Sequence, residues 1–151
     1  MDYSTIYSYL LSFAFSTVFL VYLGKLPYLV TGEKELVRLY YNTNYATNIP
    51  LDILLIAVYL SVATTLMSWL QISKKMSYQK YGLEFLIVIL TTLAISGGFY
   101  YYFVSTPITS SFFSRWFHKV GFNAVLYDCI LVSFTYGVFR FLQQQFKPLK
   151  N

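Results

Sequence analysis

Four apolar stretches, at about residues 6–24, 49–72, 83–104 and 120–142, take up most of this 151-residue chain. A helix crossing a hydrocarbon core of about 30 Å needs roughly 20 consecutive apolar residues, and each stretch meets that length. Helices of a soluble core would show a polar face every 3.6 residues. Residues 53–70 instead hold no charge and only Tyr, Ser, Thr and Trp as polar-capable groups. With 57% hydrophobic and 11% charged residues, the expected fold is all-α: a polytopic membrane protein with four transmembrane helices in a bundle and short interfacial helices in the loops. The connections leave no room for a linker, so residues 1–151 are expected to form a single four-helix transmembrane domain.

The net charge of +5 does not imply nucleic acid, because basic residues gather beside membrane spans. Lys74, Lys75, Lys80, Arg140, Lys147 and Lys150 fall on the face that holds both termini, and Lys25, Lys34, Arg38, Arg115 and Lys119 on the other. The small excess, with Glu33 and Glu35 diluting the second group, favours cytoplasmic termini. Met1-Asp2-Tyr3 offers no basic region ahead of the first apolar run, so that run is expected to stay as an anchor. The single cysteine, Cys129, lies within a span and excludes an internal disulfide or a CxxC redox pair.

In the connections, Leu26-Pro27-Tyr28 breaks the first helix near the interface, and residues 31–39 pattern as a short amphipathic helix with early acids and a later base. Tyr40 to Asn48 reads as an ordered loop at headgroup level, with Thr47 or Asn48 capping the second span and Pro50 in its first turn. A tight basic loop from Ser73 to Lys80 makes spans two and three antiparallel neighbours. Phe99 to Phe103 forms an aromatic girdle, and residues 112–119 read as an interfacial helix. Small residues at four-residue spacing mark close helix contacts: Ser8, Ser12 and Ser16; Ala57, Ser61 and Thr65; Ala94 and Gly98; Ser133 and Gly137.

Ionisable groups inside spans carry the sharpest functional information, because a charge in hydrocarbon costs several kcal/mol on most scales. Asp52 is expected in the first turn of span two as a capping residue, favoured by the helix dipole. Glu84 opens span three on the same membrane face as Arg140, which makes an interhelical ion pair a candidate. Asp128 lies deeper and is the candidate buried polar centre, with Asn123 and Tyr127 as hydrogen-bond partners and Lys119 or Arg115 able to snorkel toward it. It reads as a structural hydrogen-bonding group, as part of a proton or ion path, or as a group that contacts a partner or takes part in catalysis.

No catalytic constellation is present: one His and one Cys cannot build a tetrahedral zinc or bis-His haem site, and no phosphate loop, HExxH or GxSxG occurs. His118 precedes Asp128 by ten residues, which on one continuous helix would separate them by about 15 Å. The expectation is therefore a chain without catalytic residues, cofactor or metal site, and not an enzyme.

Two stretches resemble a known group of proteins. Asn48-Ile49-Pro50-Leu51-Asp52, continuing through Leu55 to Leu60, and Phe113-Ser114-Arg115-Trp116, followed by Gly121, Ala124, Tyr127 and Asp128, resemble the small multi-span membrane proteins of nucleocytoplasmic large DNA viruses. The resemblance implies a virion component embedded in the inner membrane beneath an icosahedral capsid, with no catalytic residues to carry over. The expected function is accordingly structural. Loops 31–48 and 105–119 would anchor other proteins of a larger assembly through Tyr40, Tyr41, Asn42, Asn44, Tyr45, Arg115, Trp116, His118 and Lys119, with the bilayer as the other partner. A homo-oligomer, an ion or proton channel using Asp128, and an accessory subunit of an energy-transducing complex stay open as alternatives.

Overall fold

The computed structural model describes residues 3–72 and 77–146. Every regular element among them is helical. Residues 73–76 of the basic loop, with Lys74 and Lys75, lie outside the described residues, as do Lys147 and Lys150.

Four helices are long and apolar enough to cross a membrane. Helix α1 (Tyr3–Ser16) continues as a π-helical stretch, Thr17–Leu23; the others are α4 (Tyr45–Trp69), α5 (Ser77–Val104) and α7 (Asn123–Gln145). Their outward faces expose large apolar side chains, among them Leu10, Phe15, Leu54, Val58, Leu86, Leu90 and Ile130. Hydrocarbon is the solvent such faces require. The chain is an integral, multi-pass membrane protein.

Helix α7 is the central member, packed most extensively on α5 and α1, while α4 lies against α5. The small residues of α1 explain one seam: Ser8, Ser12 and Ser16 are fully buried, and Ser12 and Ser16 return their hydroxyls to the carbonyls of Tyr9 and Ser12, both at 2.7 Å. Such hydroxyls allow backbones to approach closely without leaving a donor bare. Gly137 does the same on α7, where a Cβ would come within 3.2 Å of the Phe85 ring. The strips on spans two and three face elsewhere. Ser61, Thr65, Ala94 and Gly98 are exposed, and α5 instead buries Val88, Thr92 and Ser96, one turn apart.

Antiparallel α5 and α7 are locked at both ends. Near one end Glu84 accepts from Arg140 Nε at 3.1 Å and Nη2 at 3.3 Å, and from the Tyr136 hydroxyl at 2.9 Å. Near the other, Ser96 Oγ donates to Asp128 Oδ2 at 2.6 Å. Tyr9 of α1 ties to α4 by donating to the Ile53 carbonyl.

One end of the bundle is closed by a folded cap. After the first span, Lys25 takes a left-handed conformation (φ 50°) and the chain turns into α2 (Leu26–Thr31), with Pro27 in its first turn where no N–H is needed. Helix α3 (Lys34–Arg38) follows and buries Leu36 and Val37. The expected loop from Tyr40 to Asn48 is instead helical: a π-turn, Leu39–Thr43, leads through Asn44 into α4. Neither Thr47 nor Asn48 caps α4, and Pro50 sits in its interior, not its first turn. The carbonyl of Ala46, which loses its partner there, belongs to an exposed residue near the helix end. Helix α6 (Phe112–Val120) completes the cap. Trp116, Phe117 and Val120 are buried with Phe113 packed against the core, while Arg115 and Lys119 stay exposed, the spacing of an amphipathic helix.

The Glu84 carboxylate is buried and Arg140 is about a quarter exposed, so removing one partner leaves a charge without its complement. Arg140→Met is expected to lower stability by about 2 kcal/mol, and Glu84→Gln combined with it to recover part of that loss. Thermal unfolding in detergent micelles, followed by circular dichroism, reads both; equal loss in the single and double variants would show that the pair does not couple.

Candidate buried polar site beneath the cap

A cavity of about 190 Å³ lies where the cap meets the bundle. Its apolar wall combines aromatic rings, Phe99 and Phe103 from α5 and Phe112, Phe113, Trp116 and Phe117 from α6, with aliphatic side chains of α4 and α7. The rings of Tyr40, Phe112 and Trp116 cluster at centroid distances of 4.8 Å (Tyr40–Phe112), 5.6 Å (Phe112–Trp116) and 6.5 Å (Tyr40–Trp116). Two carboxylates, Asp52 and Asp128, complete the lining, and no basic side chain is part of it.

Asp52 lies seven residues past Tyr45 in α4, about 10 Å along the axis. The expectation of a capping residue in the first turn therefore fails, because the helix begins earlier than its apolar run. Asp52 is held instead by the Tyr40 hydroxyl, which donates to Oδ1 at 2.6 Å. Asn48 fixes the donor's backbone by giving its Nδ2 to the Tyr40 carbonyl at 3.0 Å. Burial and the neighbouring Asp52 charge push the Tyr40 hydroxyl far above its ordinary range, so it remains a proton donor at every physiological pH.

Asp128 lies five residues past Asn123 in α7, about 8 Å along the axis. It is shallower than a helix continuous from residue 120 would place it. Gly121, at φ 64° and ψ −145°, separates α6 from α7 in a conformation that favours glycine. The same break means that His118 and Asp128 do not share a helix; His118 Nδ1 faces the Ser114 carbonyl at 2.8 Å. Asp128 is held by Ser96, and no other partner holds its second oxygen, Oδ1, among the described residues. Asp128 is part of the cavity lining.

The polar centre expected around Asp128 needs two corrections. Asn123 is exposed, because five residues along an α-helix amount to about 140° of rotation, which places it on a different face. Tyr127 is buried, but its hydroxyl meets that of Tyr41 at 2.5 Å rather than Asp128. Arg115 and Lys119 are exposed and outside the lining. Residues not singled out from sequence complete the site: Ser96, which donates to Asp128, and Tyr59, which lines the cavity. The sequence signal for Ser96 is the four-residue strip Val88, Thr92 and Ser96 on α5, which competes with the strip of Ala94 and Gly98.

The expected contact residues divide into two groups. Tyr40, Tyr41 and Trp116 are buried at 6%, 4% and 7% exposure and are unavailable to a partner, because each is an apolar ring that the cap folds inward. Asn42, Asn44, Tyr45, Arg115 and Lys119 are exposed, and His118 is half-buried.

No family model, curated protein or solved structure matches the chain. Residues 48–60 and 113–128 meet at this one place in the fold: Asn48 and Asp52 come from the first stretch, Trp116, Tyr127 and Asp128 from the second. Among the described residues, no three His, Cys, Asp or Glu side chains gather to hold a metal.

Tyr127→Phe removes one hydroxyl of the buried Tyr41–Tyr127 pair and is expected to cost about 1 kcal/mol; Ser96→Val strips Asp128 of its donor and should cost more, about 2 kcal/mol. Thermal unfolding of the two variants checks the order, and a Ser96→Val protein as stable as the wild type would contradict the contact.

Proposed function

We propose that the chain is a structural component of a larger membrane-bound assembly, such as an inner membrane beneath a viral capsid, and that its capped end receives the partner. The construction of that end supports this reading. Residues between spans one and two, and between three and four, fold onto the bundle as short helices. Leu36, Val37, Trp116, Phe117 and Val120 turn inward, while Lys34, Arg38, Asn42, Asn44, Arg115 and Lys119 stay exposed. A cap packed in this way presents its polar groups without the ordering cost that a flexible loop incurs on binding. Exposed cations outnumber Glu33 and Glu35 there, which suits an acidic protein face.

Reversing two of these charges, Arg115→Glu with Lys119→Glu, is expected to reduce partner recovery at least ten-fold when the protein is purified in mild detergent from its native membrane. Stability should change by less than about 0.5 kcal/mol, since both side chains are exposed. Full recovery of partners with the doubly reversed protein would remove the capped end from the interface.

One observation favours a second reading, a cation or proton path. A separate open cleft of about 450 Å³ enters from the opposite end, lined by Lys80, Glu84, Arg140 and Gln143. On α7 its lining begins at Tyr136, one turn beyond Val132, the last α7 residue of the capped cavity. Proton or sodium flux into proteoliposomes that falls to the empty-vesicle rate in Asp128→Asn, with the fold retained, would support this path. Wild-type flux no greater than that of empty vesicles would eliminate it.

A further inference from the structure

The cavity beneath the cap has a composition that neither helix packing nor partner docking requires. Packing alone would fill it, because protein interiors are dense and a void forfeits contacts on every side. An apolar cavity of about 150 Å³ suffices for a six-carbon ring, so about 190 Å³ accommodates a ligand of similar or slightly greater size. A neutral apolar ligand would not call for carboxylates. Asp52 and Asp128 nevertheless sit in the wall, held by hydroxyl donors and faced by no lysine or arginine of the lining, and among the described residues no partner holds Asp128 Oδ1.

Aromatic rings supply the complementary half of the chemistry. Trp, Tyr and Phe attract a cation through the negative face of the ring, most strongly where water is excluded, and enclosures of this kind recognise quaternary ammonium groups. Trp116, Tyr40, Phe112 and Phe103 line the same space as the two acids. We infer that the cavity is a binding site for a small organic ammonium group of about the size of choline, with the carboxylates neutralising its charge and the aromatic wall covering its methyl groups. An inorganic cation would keep its hydration shell against such an apolar wall and is disfavoured there. The ammonium group belongs either to a free amine or to a lipid headgroup; the chemistry of recognition is the same.

The test uses the full-length protein in nanodiscs of phosphatidylglycerol, titrated with choline and with its uncharged isostere 3,3-dimethylbutanol, and followed by tryptophan fluorescence and calorimetry. Choline is expected to bind saturably, and the isostere at least ten-fold more weakly. Asp128→Asn and Asp52→Asn, which keep the side-chain shape, should each weaken choline at least ten-fold, and Trp116→Phe several-fold, with thermal unfolding as the control for the fold. Repeating the titration in phosphatidylcholine nanodiscs distinguishes the sources: lost binding assigns the site to a headgroup, and retained binding to a free amine. Equal binding of choline and the isostere, undiminished choline binding in both folded Asp→Asn proteins, or no saturable binding in phosphatidylglycerol would each overturn the inference.

Discussion

The antiparallel register of α5 and α7 is the constraint on which the remaining structure depends. Two polar contacts set it, Glu84 with Arg140 and Ser96 with Asp128, and they lie twelve residues apart on both helices. That separation is about 18 Å along the axis. Between them Val88, Thr92, Val132 and Tyr136 are buried almost completely, and every hydroxyl or carboxylate moved out of this seam would face hydrocarbon instead. A slip of either helix by one turn would break both contacts together. In lipid, where apolar surface gives little driving force between helices, polar contacts and close packing must specify the register. Hydroxyls are the tolerated exceptions: Ser8, Thr91 and Ser133 have buried oxygens with no partner among the described residues, at far smaller cost than an isolated charge.

The cap follows from the same rule applied to backbone. Non-helical chain at membrane depth must be buried in protein, and here the connections coil into short helices whose apolar faces lie on the bundle. The π-turn at Leu39–Thr43 has a local consequence for the site. A wider turn brings successive side chains closer in direction than the α-helix does, so adjacent Tyr40 and Tyr41 both point inward, one to Asp52 and the other to Tyr127. Tyr22, at the end of the first span's own π-stretch, donates to the Tyr41 carbonyl at 3.1 Å.

Spans were legible in the sequence because their signal is a long run, and Glu84 with Arg140 because topology alone brings their helix ends together. The amphipathic period also disclosed α6. The polar site was less legible. Asp52 looked like a terminal residue because hydropathy begins at Ile49 while the helix begins at Tyr45, a turn earlier. Asn123 seemed a partner of Asp128 by nearness in sequence, but helical rotation carries it away. Tyr40, Tyr41 and Trp116 were expected on a contact surface because aromatics in a membrane loop suit either the headgroup region or a core equally well. Composition cannot decide that; only the fold of the connection does.

The two ends of the α5–α7 seam meet the cost of a membrane carboxylate in different ways. Glu84 has a guanidinium, which cancels its charge and is itself partly exposed near the helix end. Asp52 and Asp128 have hydroxyls alone among the described residues. A hydroxyl satisfies a carboxylate lone pair and lowers the cost of burial, but it brings no positive charge. A cation could have balanced their charge, and Arg115 and Lys119 stand within a few residues of the site in sequence. Both instead project outward from α6, while its aromatic face covers the acids. The arrangement keeps the two acids apart from the chain's own cations, so their charge is balanced either by a bound proton or by a positive group from outside the chain.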